Sequence, residues 1–134
     1  MTEISWKALM RERSARHLVA GLVPADEAAG GAASLKLRAA LLARLARALR
    51  LAEFYALVDL PARSGHEIRC ALGREADAVK LADAVGAEPA AAEPGWASVR
   101  RFRFDAAAEA AITATLQSRA SIRRTRKKRA ANVL

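Results

Sequence analysis

The sequence predicts an α+β fold with two N-terminal helices, a small antiparallel three-stranded sheet in ββαβα order with its helices on one face, and a basic C-terminal extension. Three observations favour this fold class. Leucines recur at helical spacing across residues 35–51. Two runs typical of strands follow at residues 53–60 and 66–72, and a third at 96–104 alternates aromatic and basic side chains.

The first predicted helix spans residues 2 to about 23. Trp6 and Leu9 lie at near-helical spacing, and Glu3 falls in the first turn, where an acidic side chain favours the helix dipole. Pro24 and the small residues that follow it end the helix, because proline has no backbone N–H to donate.

The second predicted helix, from Leu35 to about Leu51, is the clearest periodic element. Leucines fall on one face, and basic side chains gather on the other: Lys36, Arg44, Arg47 and Arg50. This pattern favours a core helix with a solvated basic face. Two other interpretations stay open, namely a helix that binds a protein partner or a second copy of the chain, and a helix that lies on nucleic acid or an anionic membrane.

Two further runs predict a β-hairpin and a helix. A strand over residues 53–60 is followed by turn-forming residues 61–65 and a return strand over 66–72. Residues 74–85 then predict a short amphipathic helix. It stops at Gly86, since glycine readily adopts the left-handed conformation found at helix ends.

The chain continues with a loop, a strand and a last helix. Residues 86–95 are mostly alanine, glutamate, proline and glycine, a composition that predicts a loop. In the strand over residues 96–104, phenylalanines would face the core and arginines the solvent. Asp105 caps a helix that begins at Ala106.

Charge is distributed unevenly over three segments of the 134-residue chain. We divide it into an N-terminal helical segment (1–50), an α+β core (51–118) and a basic tail (119–134). Residues 1–50 carry +5, residues 51–99 carry −4 and residues 100–134 carry +8, which together give +9. A positive excess of this size favours a polyanionic partner.

The tail holds the strongest candidate site. Seven bases lie within eleven residues, and no acid follows Glu109: Arg119, Arg123, Arg124, Arg126, Lys127, Lys128 and Arg129. Wound as a helix, these positions point in nearly every direction, so the segment cannot bury one face in a protein core. The bases repel one another unless a polyanion supplies counter-charge. A solvated tail, or one that docks on the acidic middle of the same or a neighbouring molecule, is the alternative.

A second candidate is the run Arg100-Arg101-Phe102-Arg103-Phe104. The phenylalanines are expected in the core, while Arg100, Arg101 and Arg103 would form a secondary basic patch that extends the tail.

The sequence contains little that favours catalysis. His66 and Cys70 share a face of a predicted strand but lie about 13 Å apart along it, too far for a thiolate and imidazole pair. The chain has no glycine-rich phosphate loop, no Gly-x-Ser-x-Gly motif and no metal-ligand spacing. We therefore expect no enzymatic activity, no cofactor and no metal, although a small RNase stays open.

The N-terminal residues lack the apolar core of a secretory signal, and no apolar run is long enough to span a membrane. The single cysteine, Cys70, fits a reducing compartment. These features predict a cytoplasmic protein, associated with nucleic acid if the tail binds it. The principal hypothesis is a non-enzymatic accessory protein that contacts the phosphates of DNA or RNA. The alternative is a small adaptor or inhibitor module that docks on a larger assembly.

Overall fold

In the part of the chain that the structure describes, a central sheet packs with five helices. The computed structural model describes residues 2–12, 16–28, 32–63 and 65–132, and describes the backbone alone for residues 12, 27, 28, 32, 33 and 120–132. The elements, in chain order, are β1 (Thr2–Glu3), α1 (Trp6–Glu12), β2 (His17–Pro24), α2 (Ala25–Ala28), α3 (Ala32–Ala48), β3 (Phe54–Ala62), β4 (Gly65–Leu72), α4 (Glu75–Val85), β5 (Glu88–Pro89), β6 (Ser98–Arg103) and α5 (Ala106–Asn132).

The sheet is mixed and has six strands in the order β1-β3-β4-β2-β6-β5. β2 lies inside it, antiparallel to β4 and parallel to β6. The two-residue strands β1 and β5 form its edges, with β1 parallel to β3 and β5 antiparallel to β6. The chain is therefore α+β, but the predicted small three-stranded antiparallel sheet in ββαβα order, preceded by two N-terminal helices, is wrong.

The error lies mainly in β2. The predicted first helix over residues 2–23 is in fact β1, the two-turn helix α1 and the strand β2. Leu18, Val19, Ala20 and Val23 are all buried, because both faces of β2 are covered. A strand covered on both faces is apolar throughout and lacks the alternation that identifies a half-exposed strand.

Helices cover both faces of the sheet, so the prediction that they lie on one face is also wrong. On the first face, leucines of α3 pack with Leu81 of α4 and Ile112 of α5 against strand residues such as Ile68 and Phe102. On the second face, Leu9 of α1 packs against Ala56 and Ala71.

Elements with a clear local pattern agree with the prediction. β3 and β4 form the antiparallel hairpin. α4 ends at Gly86, whose φ of 73° places it in the left-handed region. Asp105 caps α5, since its Oδ1 accepts a hydrogen bond from the Ala108 N–H at 2.9 Å. The predicted loop over residues 86–95 differs in containing the short strand β5.

The connection from α3 to β3 is held by a buried carboxylate. Asp77 of α4 is 1% exposed. Its Oδ1 accepts a hydrogen bond from the Ala52 N–H at 3.0 Å, and its Oδ2 accepts one from the Glu53 N–H at 3.2 Å. Arg50 has a φ of 51°, the left-handed conformation that ends many helices. These contacts fix the backbone at the C-terminal end of α3.

Candidate nucleic-acid interface

The helix that carries the tail is anchored in the core at its N-terminal half. Ile112 and Leu116 are buried in the main hydrophobic cluster. Arg38 of α3 is 3% exposed, and its guanidinium lies 3.4 Å from the Glu109 carboxylate of α5. The same guanidinium donates a hydrogen bond to Ser34 Oγ at 2.5 Å. This ion pair, with a buried arginine and a partly exposed carboxylate, joins α3 to α5.

A second contact shows that α3 and α5 run in the same direction. Arg38 meets Glu109 near the start of both helices, and further along Arg119 Nη1 donates to the Ala48 carbonyl oxygen at 3.3 Å. Ala48 is the last residue of α3, where carbonyl groups lack helical partners and attract a cation. From Arg119, α5 continues to Asn132, which adds about 20 Å of helix at 1.5 Å per residue.

The structure therefore places all seven predicted tail bases on α5. Arg119 is exposed apart from its bond to Ala48. The side chains of the other six lie outside the described residues: Arg123, Arg124, Arg126, Lys127, Lys128 and Arg129. The last described buried side chain of α5 is Leu116.

The three arginines of the predicted secondary patch do not share one face. Arg100 lies on the first face, where it donates to Ser98 Oγ at 3.0 Å and lies 3.9 Å from Glu75 of α4. Arg101 and Arg103 lie on the second face. Arg103 is 72% exposed and pairs with Asp105 at 3.3 Å.

Arg101 belongs to a four-residue ionic cluster on the second face. Arg69 bonds Glu67 at 2.7 Å and Glu93 at 3.3 Å, while Arg101 bonds Glu93 and lies 3.9 Å from Glu67. Burial raises the pKa of Glu93, but the hydrogen bond from Arg101 and the two positive charges outweigh it and hold that pKa below its usual value. Two bases and two acids make the cluster electrically neutral.

A depression of about 430 Å³ lies beside this cluster. Its lining consists of Leu22, Pro24, Arg101, Phe102 and Arg103. Both of its arginines already bond carboxylates of the same chain, Arg101 with Glu93 and Arg103 with Asp105. These carboxylates partly neutralise the depression, so it offers an anion less positive charge than two unpaired arginines would.

The residues considered for catalysis are bonded or buried. Desolvation raises the pKa of Cys70 to about 12, so the thiol is protonated at neutral pH and is a poor nucleophile. His66 Nδ1 lies 2.6 Å from Asp59 Oδ1, and His17 Nδ1 lies 2.8 Å from Ser98 Oγ. In the described part of the chain, no three His, Cys, Asp or Glu side chains are grouped closely enough to bind a metal ion.

Two residues that form ion pairs near the candidate site, Arg38 and Glu93, were not predicted from the sequence. Arg38 lies in the middle of the leucine stripe of α3, and a base in that position signals a buried ion pair. Glu93 lies in a low-complexity loop and pairs with residues on two strands, and no local pattern indicates that pairing. The leucines of α3, considered as a dimer surface, lie instead in this chain's own core.

None of the described helices is both long and apolar enough to cross a membrane. Comparison of the chain with protein-family models, curated proteins and solved structures found no match.

Proposed function

We propose that this protein binds nucleic acid, without catalysing a reaction, through phosphate contacts made by the basic part of α5. The observation that carries the proposal is that this segment is one continuous helix with an anchored half. Ile112, Leu116 and the Arg38–Glu109 ion pair hold its start, and seven bases with no acid follow.

Electrostatics favours a polyanionic partner. Seven like charges in eleven residues repel, and the helical turn of about 100° per residue distributes their backbone positions around the whole axis. One carboxylate-bearing face of a protein would reach only some of these positions. Phosphates along a nucleic acid supply many charges and release condensed counterions when they are neutralised.

Anchoring also lowers the cost of binding. A free basic peptide of this length forms little helix and loses conformational entropy when it binds. Here the core fixes the first turns of α5, so the helix is already nucleated and only has to extend through the basic segment. Phosphate contacts carry no sequence information, and residues 119–132 contain no aromatic side chain to stack on bases, so we expect low sequence specificity.

Salt titration of the intact protein tests the proposal. We expect the six or seven phosphate contacts of the α5 bases to contribute about −5 to −6 to the slope of log K against log salt for a labelled 20-base-pair duplex. Protein purified at low salt should also carry nucleic acid, seen as a raised ratio of absorbance at 260 to 280 nm. A flat salt response, together with protein partners that persist after nuclease treatment, would favour the adaptor alternative.

The secondary patch is tested separately. Its Arg101 is paired with Glu93, which reduces the positive charge that the patch presents to phosphates. Glu93→Gln removes one negative charge from the neutral cluster and leaves Arg69 and Arg101 to share Glu67. If Arg101 lies at the interface, we expect tighter duplex binding and a salt slope steeper by up to about one unit. Asp83→Asn, at an exposed position on α4, is the control. Equal changes in the two variants would remove Arg101 from the contact set.

A further inference from the structure

We infer that the solvent face of α3 is a second phosphate-binding surface, and that the same nucleic acid spans α3 and the basic part of α5. This inference rests on the proposed function and extends it to a surface whose side chains are described. Lys36, Arg44 and Arg47 carry it, and we call them the α3 basic stripe.

The stripe lies opposite the buried face of its helix. Leu41, Leu42 and Leu45 are at most 4% exposed and face the main core. Lys36 and Arg44 are exposed, and the Arg47 side chain is 62% exposed. Because positions 36, 44 and 47 recur at intervals of eight and three residues, they fall on one side of the helix and span about 16 Å of it.

The stripe has little internal counter-charge. Among the described residues, Glu3 is the one carboxylate within 4 Å of it, bonded to Arg47 at 3.4 Å. Both side chains of that pair are more than half exposed, so the pair contributes little. In contrast, Arg69 and Arg101 on the second sheet face are half-buried and each bonds a carboxylate.

The fold brings the two acid-free parts of the sequence together. No acid lies between Glu27 and Glu53 or after Glu109, and these two stretches hold twelve of the chain's 23 bases. The first stretch contains α3 and the second contains the basic part of α5. The two helices are parallel, and Arg119 bonds Ala48 where α3 ends. The basic part of α5 therefore begins beside the C-terminal end of the stripe.

A nucleic acid strand matches this surface. Successive phosphates of one duplex strand rise about 3.4 Å along the axis and also turn around it, so the straight 16 Å stripe faces about three of them, one for each of its bases. A polyanion bound to the basic part of α5 and extended past Arg119 would contact the stripe, because the two basic surfaces are adjacent there. If the α3 bases only kept the protein in solution, they would not need to lie next to the basic part of α5, because scattered exposed bases serve solubility equally well.

A charge-matched pair of triple variants tests the inference. The first is Lys36→Gln, Arg44→Gln and Arg47→Gln, in which glutamine preserves helix propensity. Arg50 stays unchanged, because its φ of 51° would add a backbone effect. The control is Lys7→Gln, Arg63→Gln and Lys80→Gln, three exposed bases on α1, the β3–β4 turn and α4. Both proteins lose three positive charges, and neither loses a buried side chain.

We expect the stripe variant to reduce the salt slope for duplex binding by about 2.7 units, at 0.9 per phosphate contact, and the control to change it by less than one. Both variants should melt at the wild-type temperature. Equal slopes in the two variants would overturn the inference while leaving the salt-dependent binding of the wild-type protein intact. If the stripe variant loses binding to vesicles of anionic lipid but not to duplex, the surface is a membrane contact and the inference is wrong.

Discussion

Replacing the six bases between residues 123 and 129 with glutamine should lower affinity for a 20-base-pair duplex by about a thousandfold or more at 50 mM salt. Six lost phosphate contacts reduce the salt slope by about 5.4 units, which removes most of the electrostatic binding. Arg119 is retained because its guanidinium donates to the Ala48 carbonyl oxygen and so contributes to the end of α3. Fluorescence anisotropy at 50 and 200 mM salt measures both quantities.

Two controls separate charge from structure in this experiment. The variant should keep the wild-type melting temperature, because the last described buried side chain of α5 is Leu116, before the substituted segment. Replacing the four arginines of the segment with lysine preserves the charge and removes bidentate phosphate contacts. We expect that variant to keep the salt slope and lose about tenfold in affinity at most. An unchanged slope in the glutamine variant would remove the tail from the proposed interface.

Local patterns in the sequence were sufficient for about half of the fold. α3 and α4 were predicted because each has one buried and one exposed face, which gives a helical period. The β3–β4 hairpin was predicted from two strand-like runs joined by turn-forming residues. β2 lacked such a period, since residues of both its faces are buried. Its continuous apolar run, ended by Pro24, was the available signal for an interior strand.

Edge strands and long-range pairs could not be predicted in this way. β1 and β5 have two residues each and depend on the neighbouring strands for their hydrogen bonds. The Thr2 N–H, for example, donates to the Glu53 carbonyl oxygen at 3.0 Å, across fifty residues of chain. The Glu93 cluster likewise joins residues that are far apart in sequence, so it exists only after the sheet has formed.

In the candidate site too, features that are local in the sequence were predicted, and features that depend on long-range packing were not. The basic tail was recognisable because its charges are consecutive in the sequence. The α3 bases were also visible, but their position beside α5 depends on the parallel packing of two helices separated by the hairpin and α4. The separation of paired from unpaired bases therefore depends on the folded sheet. The sheet places carboxylates beside the arginines of its second face, whereas the α3 basic stripe has Glu3 as its neighbouring carboxylate.

The hairpin that separates α3 from α4 depends on one glycine, and Gly65→Ala should destabilise the protein by about 3 kcal/mol or more. Gly65 has a φ of 151°, which L-residues rarely adopt, and an added Cβ would lie 1.9 Å from the backbone oxygen of Val23. No side-chain rotation relieves this clash, because the oxygen belongs to β2, whose Pro24 pairs with Gly65 in the sheet.

The matched control is Gly95→Ala. Gly95 also has a positive φ, of 88°, but a Cβ there would meet no atom within 4 Å. It therefore measures the conformational cost alone, about 1 kcal/mol. Thermal unfolding followed by tryptophan fluorescence compares the two, and we expect the Gly65 variant to melt roughly 10 °C or more below the wild-type protein. If the two variants lost equal stability, the Cβ at position 65 would be accommodated by a movement of the end of β2 away from β4 that costs no free energy, and the predicted clash would be wrong.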